Sequence, residues 1–126
     1  MSLRLKPLMA TYIHHAESSA RKFGGLKEDY LEIHRWIDAP KEHHWHFVSR
    51  IFRHSTLAIA DAEAIFGLTI TNSNGKQVLT RLVVEQHLME DFGFIPTPEK
   101  WLQSVKPEPW MTRGAEKLSN KIELTP

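Results

Sequence analysis

A chain of 126 residues without cysteine has room for one domain of ordinary size and excludes disulfides, thiolate metal sites and cysteine nucleophiles. Its 16 Lys and Arg against 15 Asp and Glu leave a formal net charge of +1, so no broad footprint for a polyanion exists and nucleic-acid binding is disfavoured. Apolar stretches fall far short of the roughly 20 residues that cross a bilayer, and Met1–Ala10 lacks the apolar block of a signal peptide; the expectation is a cytoplasmic protein with no membrane partner.

From Leu8 to Phe23, Tyr12, Ala16, Ser19, Ala20 and Phe23 recur at helical spacing, and Gly24 with Gly25 supplies the stop. A second helix starts near Glu28 and Asp29, acids suited to a helix N-terminus, carries Tyr30, Ile33 and Ile37 on one stripe and ends before Pro40. Asp38 followed by Pro40 reads as a new start, with Asp38 as N-cap of a long helix towards Phe66. Its apolar stripe is Val48, Phe52, Ile59, Ala62 and Phe66, and Ser55 with Thr56 marks a place for a kink or break.

Leu68–Thr71 and Gln77–Thr80 are β-favouring runs around Asn74-Gly75, a pair that supplies the positive φ angles of a tight hairpin. Leu82–Phe92 returns to helical spacing with Val84, Leu88 and Phe92 inward and Gly93 as terminator. Thr97, Pro98 and Glu99 start a short helix carrying Trp101, Leu102 and Val105, and Pro107 to Trp110 reads as a rigid, extended piece. The pattern predicts a mainly α fold, a compact bundle of about five helices with a small β-hairpin insertion. Residues 1–111 form the single helical domain and 112–126 a C-terminal arm or tail, with Tyr30, Ile37, Phe52, Ile59, Val84 and Leu88 buried. Four tryptophans exceed what so small a core needs, so a homodimer is expected.

The eight histidines are the compositional anomaly. At about 100° per residue, His15 lies at the edge of the face holding Tyr12 and Ala16, and His34 lies between Tyr30 and Ile37 with Asp38 one turn later. His87 lies beside Val84 and Leu88 with Asp91 one turn later; His54 borders Ala58, with Arg50 one turn before and Asp61 about two turns after it. Four helices thus each bring one histidine to the rim of an apolar face, and packing those faces together would gather the imidazoles in one pocket. His15, His34, His54 and His87, assisted by Asp38, Asp61 and Asp91, are therefore candidate ligands of one divalent metal ion. Zinc, manganese or iron suits an imidazole-rich shell better than magnesium does.

The same pairs suit acid/base chemistry, because imidazole titrates near neutrality and a carboxylate fixes its tautomer. A bland reading competes: each pair is a helix-surface hydrogen bond or cap. His43 and His46 share an i, i+3 spacing, which is a weak metal signal beside a solvated helix start. A non-enzymatic alternative gives Lys41, Arg50 and Arg53 to a cationic pocket for a small anionic ligand or a partner protein.

His14-His15-Ala16, Lys22, Gly24-Gly25, Glu28-Asp29-Tyr30, Ile33-His34, Trp36, Asp38, Lys41, Arg53-His54, Phe66-Gly67, Glu85-Gln86-His87, Glu90-Asp91, Gly93, Ile95-Pro96, Trp101 and Pro107 to Met111 follow one another at spacings that resemble a family pattern. Over roughly His14 to Met111 the chain resembles an uncharacterised family of small bacterial and bacteriophage proteins. The family pattern also favours histidines where this sequence has Ser49 and Ser55. The resemblance carries no established activity, and it implies a role in phage and host conflict or in a virion.

Overall fold

In the computed structural model, residues 5–39 and 50–114 are described, with side chains from Tyr12 onwards in the first segment. Helix α1 spans Leu5–Phe23 and stops where Gly24 and Gly25 take φ of 89° and 79°. One 3-10 turn, Lys27–Asp29, leads into α2 at Leu31–Asp38, and Tyr30, Ile33 and Ile37 face inward as their spacing requires. The chain is next described at α3, Arg50–Arg53, followed by α4 at Leu57–Phe66. Strands β1, Thr69–Thr71, and β2, Gln77–Leu79, pair antiparallel with Ile70 opposite Val78. Helix α5 covers Thr80–Phe92 and ends on Gly93 in the left-handed conformation; α6 covers Pro98–Leu102, with the Thr97 side chain accepting from the Lys100 amide as its N-cap.

The protein is mainly helical, with six α-helices and one two-stranded sheet among the described residues. The sixth helix comes from a break in the expected long one. At His54–Thr56 the helical ladder stops, and its backbone groups find distant partners: the Thr56 amide donates to Pro96 O, and Trp101 Nε1 donates to His54 O at 2.8 Å. Ser55 Oγ accepts from the Leu57 amide and helps restart the helix. Because the break resets the helical phase, Ile51 is buried and Phe52 is exposed, a reversal of the expected stripe.

Asp38 likewise ends α2; its expected role as cap of a following helix falls on residues 40–49, outside the described ones. Pro109–Thr112 forms a 3-10 turn where an extended piece was expected. Only Gly75 takes positive φ in the hairpin loop, so Asn74-Gly75 does not form the tight turn that needs two such residues.

The core joins Ala16 of α1, Tyr30, Ile33 and Ile37 around α2, Ala58 and Ala62 of α4, Val78 of β2, and Val83, Val84 and Leu88 of α5. Ile59 packs partly buried against it. The hairpin is tied back to the α1–α2 turn by Asp29, whose carboxylate accepts from Ser73 Oγ at 2.7 Å and from the Leu26 and Ser73 amides. Ser73 lowers the Asp29 pKa foremost, since hydrogen bonds to the ionised form favour it. Among the described residues no helix is long and apolar enough to cross a membrane.

Candidate metal centre

Three helices present polar pairs at i, i+4, a spacing that puts both side chains on one face, towards one another beside this core, with Glu90 alone exposed among them. Helix α1 brings His15 and Ser19, α2 brings His34 and Asp38, and α5 brings two such pairs, Gln86 with Glu90 and His87 with Asp91. His54 enters from the break after α3. The four imidazoles gather as the rim positions predicted. Ring centroids lie 3.8 Å apart for His15 and His87, 5.1 Å for His34 and His87, and 5.3 Å for His54 and His87.

Within this cluster Asp38, His54, His87 and Asp91 each offer one ligand atom, all within 4.8 Å of one another. His54 Nε2 is 3.1 Å from Asp38 Oδ1 and 3.3 Å from Asp91 Oδ2; His87 Nε2 is 3.3 Å from both. A tetrahedral ion with bonds of 2.0–2.1 Å needs its ligand atoms about 3.3–3.4 Å apart. Three of the four nitrogen–oxygen edges match that figure, and the fourth, His54 to Asp38, is shorter. The group could hold a metal ion, and its side chains are nearly all out of water: relative exposures are 1% for His54, 0% for His87, 3% for Asp38 and 13% for Asp91.

The surrounding hydrogen bonds fix which nitrogen of His87 carries its proton. Gln86 Nε2 faces His15 O at 3.1 Å and Glu90 Oε1 at 2.8 Å, two acceptors, so the amide must donate there and turn its oxygen to Ser19. Ser19 Oγ meets two oxygens, Gln86 Oε1 and His15 O, and has one hydrogen to give them. The contact of 2.7 Å between Ser19 Oγ and His34 Nε2 must then be donated by the histidine. Neutral His34 has only one N–H, so its Nδ1 accepts from His87 Nδ1 at 2.8 Å. His87 Nδ1 therefore carries a hydrogen. In neutral His87, Nε2 is a bare lone pair aimed at two carboxylate oxygens, a repulsive arrangement unless a cation lies among them. Consistent with that, His87 Nε2 is a buried atom without a hydrogen-bond partner.

The electrostatics divide the histidines. Burial first, and then the neighbouring His87 and His15 charges, push the His34 pKa well below its ordinary value, keeping this ring neutral. Burial also opposes charging His15, but hydrogen bonds to Asp91 and Glu90 outweigh it and raise the pKa. Nδ1 lies 2.6 Å from Glu90 Oε1 and Nε2 3.0 Å from Asp91 Oδ1, so both ring nitrogens face carboxylate oxygens, an arrangement that favours the protonated ring. Burial works to raise the Asp91 pKa, but hydrogen bonds from His15 first and then His54 outweigh it and hold the carboxyl well below the usual carboxylate range.

The structure thus separates the expected ligand set. Asp38, His54, His87 and Asp91 form the inner group. His34 and His15 commit both ring nitrogens to other partners and surround it. Asp61 lies exposed on α4, apart from the group, because the break at His54–Thr56 turns it away. Arg50 sits at the edge, its Nη2 3.5 Å from Asp91 Oδ2. Arg53 donates to Trp36 O at 2.7 Å and stacks on the Trp36 ring, which ties α3 to α2. Lys41, His43 and His46 lie outside the described residues. Sequence reasoning missed Ser19, Gln86 and Glu90 as parts of the network, although Ser19 stood on the inward stripe and the other two flank His87 and Asp91.

Fold and site together define a small helical protein built around a buried group of two histidines and two aspartates that could hold a metal ion. The chain belongs to the family described as a domain of unknown function, DUF6915, whose model matches residues 10–111. No curated protein and no solved structure matches it.

Proposed function

We propose that this protein binds one divalent metal ion through Asp38 Oδ1, His54 Nε2, His87 Nε2 and Asp91 Oδ2 and uses the centre for hydrolytic or acid/base chemistry. The observation that carries the reading is the directed chain Gln86–Ser19–His34–His87, which turns a bare imidazole lone pair towards two carboxylates. Neutral imidazole and carboxylate suit zinc, manganese or iron. Bound there, the ion would act as a Lewis acid and lower the pKa of a coordinated water. His15 and Glu90, hydrogen-bonded beside the centre, supply proton-exchanging groups within reach of Asp91.

A second reading, a non-enzymatic binding or assembly module of phage-related type, draws on the completeness of the shell. Four protein donors close a tetrahedral zinc site, and a closed site staples a fold without activating water. Elemental analysis of tag-free protein, with His87→Ala and Asp38→Asn beside it, tests the centre: stoichiometric metal in the parent, lost from both variants, is expected. Absence of metal from the parent after zinc, manganese and iron reconstitution sinks the proposal. Metal-dependent turnover on a panel of phosphate and carboxylate esters separates enzyme from staple, since the staple gains melting temperature from metal without turnover.

A further inference from the structure

Resting on the metal-centre reading, we infer that Arg50 makes this centre a receptor for an oxyanion group, a phosphoryl or carboxylate that would bridge the metal ion and the Arg50 guanidinium. Three observations carry the inference.

First, the guanidinium has donors to spare. Arg50 makes one long contact, Nη2 to Asp91 Oδ2 at 3.5 Å, and its Nε is buried without a hydrogen-bond partner. A guanidinium carries five N–H donors in a planar fork that matches carboxylate and phosphate oxygens. Arg53, one turn on, spends its side chain on Trp36.

Second, the fork is held in place. The Arg50 Cζ lies 4.7 Å from the centre of the Phe92 ring, and Phe92 in turn packs edge-on against His54 and Trp101. Stacking on an aromatic face fixes the guanidinium plane and leaves its edge free for an anion. The Arg50 side chain is 29% exposed while Asp91 is 13% exposed and the other inner donors are buried, so among these residues Arg50 is the one most open to solvent.

Third, the fork stands beside an inner donor. Arg50 Nη2 lies 3.5 Å from Asp91 Oδ2, the oxygen offered to the ion, so an oxyanion drawn to the ion would come within reach of the guanidinium donors.

The test uses the full chain carrying stoichiometric zinc, titrated calorimetrically with inorganic phosphate and, separately, with acetate. Phosphate or acetate should bind the zinc-loaded protein and not the metal-free protein, and whichever binds tighter identifies the substrate group. Arg50→Met should keep its zinc yet lose at least about tenfold in anion affinity, the scale of a lost charge-assisted hydrogen bond. Arg50→Lys should recover part of that loss, and Arg81→Met, an exposed cation paired with Glu85, should behave as the parent. Zinc-loaded protein that ignores both anions, or Arg50→Met that binds them as tightly as the parent, overturns the inference while leaving the metal centre standing. A parent that takes up no metal overturns both.

Discussion

Ser19→Ala is the most economical perturbation of the site, because it removes one oxygen that touches no proposed ligand. The Ser19 side chain is fully buried and links His34 Nε2 to Gln86 Oε1, both inside the core. Deleting the hydroxyl strands one donor and one acceptor, and each such group costs about 1–3 kcal/mol, so about 2–6 kcal/mol of stability should disappear. His34 is then free to take either tautomer, and the lone pair of His87 Nε2 is no longer enforced. Losing an outer hydrogen bond of this kind lowers metal affinity by about 10–100-fold. Urea unfolding measures the first quantity, competition with a chromogenic chelator the second, and long-range nitrogen-15 correlation spectra report the His87 tautomer. Ser19→Thr, which keeps the hydroxyl, should restore the tautomer and most of the affinity even where packing suffers. A folded Ser19→Ala protein that binds zinc like the parent, with His87 still protonated at Nδ1, would refute the directed-chain argument.

Other consequences follow from the same geometry. Asp29→Asn should destabilise by about 1 kcal/mol at neutral pH, since the ionised carboxylate takes donors from Ser73 and Leu26. Its folded pKa lies below the ordinary value of about 4, so this stabilisation is present above that pH and is lost as pH falls through the folded value. Unfolding curves of parent and variant should therefore converge in acid, and a constant gap would contradict the assignment. Gly25→Ala should cost about 1–2 kcal/mol in conformation alone. Its φ is +79°, and an added Cβ would also come within 2.9 Å of Asn72 Cβ; an unchanged melting temperature would count against that account. Phe52 and Trp110 are 64% and 65% exposed, which keeps a homodimer as our expectation, and a monomer mass in light scattering at micromolar concentration would remove it.

What the sequence made legible depended on whether the signal was local. Gly93 closing α5, Thr97 capping α6 and the Tyr30, Ile33, Ile37 stripe rest on neighbours within one or two turns, and all hold. The break at His54–Thr56 rests on Pro96 and Trp101, some 40 residues away in the chain, and no window of local periodicity contains them. One unseen break produced two errors of the same kind. Carrying the phase of α4 back through it pointed Phe52 inward, and carrying the phase of His54 forward pointed Asp61 at the site; both side chains are exposed. In unbroken α5 the same extrapolation placed His87 and Asp91 together, 3.3 Å apart.

The site shows a further limit. Rim positions on several helices were sufficient to foretell that four imidazoles meet, because a helix face adjacent to the core must meet another face. They were not sufficient to assign roles, since spacing within a helix says which side chains share a face and not what the facing helix offers them. Asp38 sits one turn after His34, yet its carboxylate reaches His54 and His87, while His34 turns to Ser19. The choice between inner donor and outer support is made by hydrogen-bond direction: a ring whose two nitrogens already have partners cannot also hold an ion. That criterion assigns His15 and His34 to the supporting layer and leaves His87 Nε2, which has no hydrogen-bond partner of its own, facing Asp38 and Asp91. His54 follows by geometry, since its Nε2 completes the same set of edges, and its buried Nδ1 has no hydrogen-bond partner to fix the tautomer. The two proposed ligand histidines should therefore differ in kind: the chain from Gln86 presets His87, whereas the tautomer of His54 would be set by a bound ion.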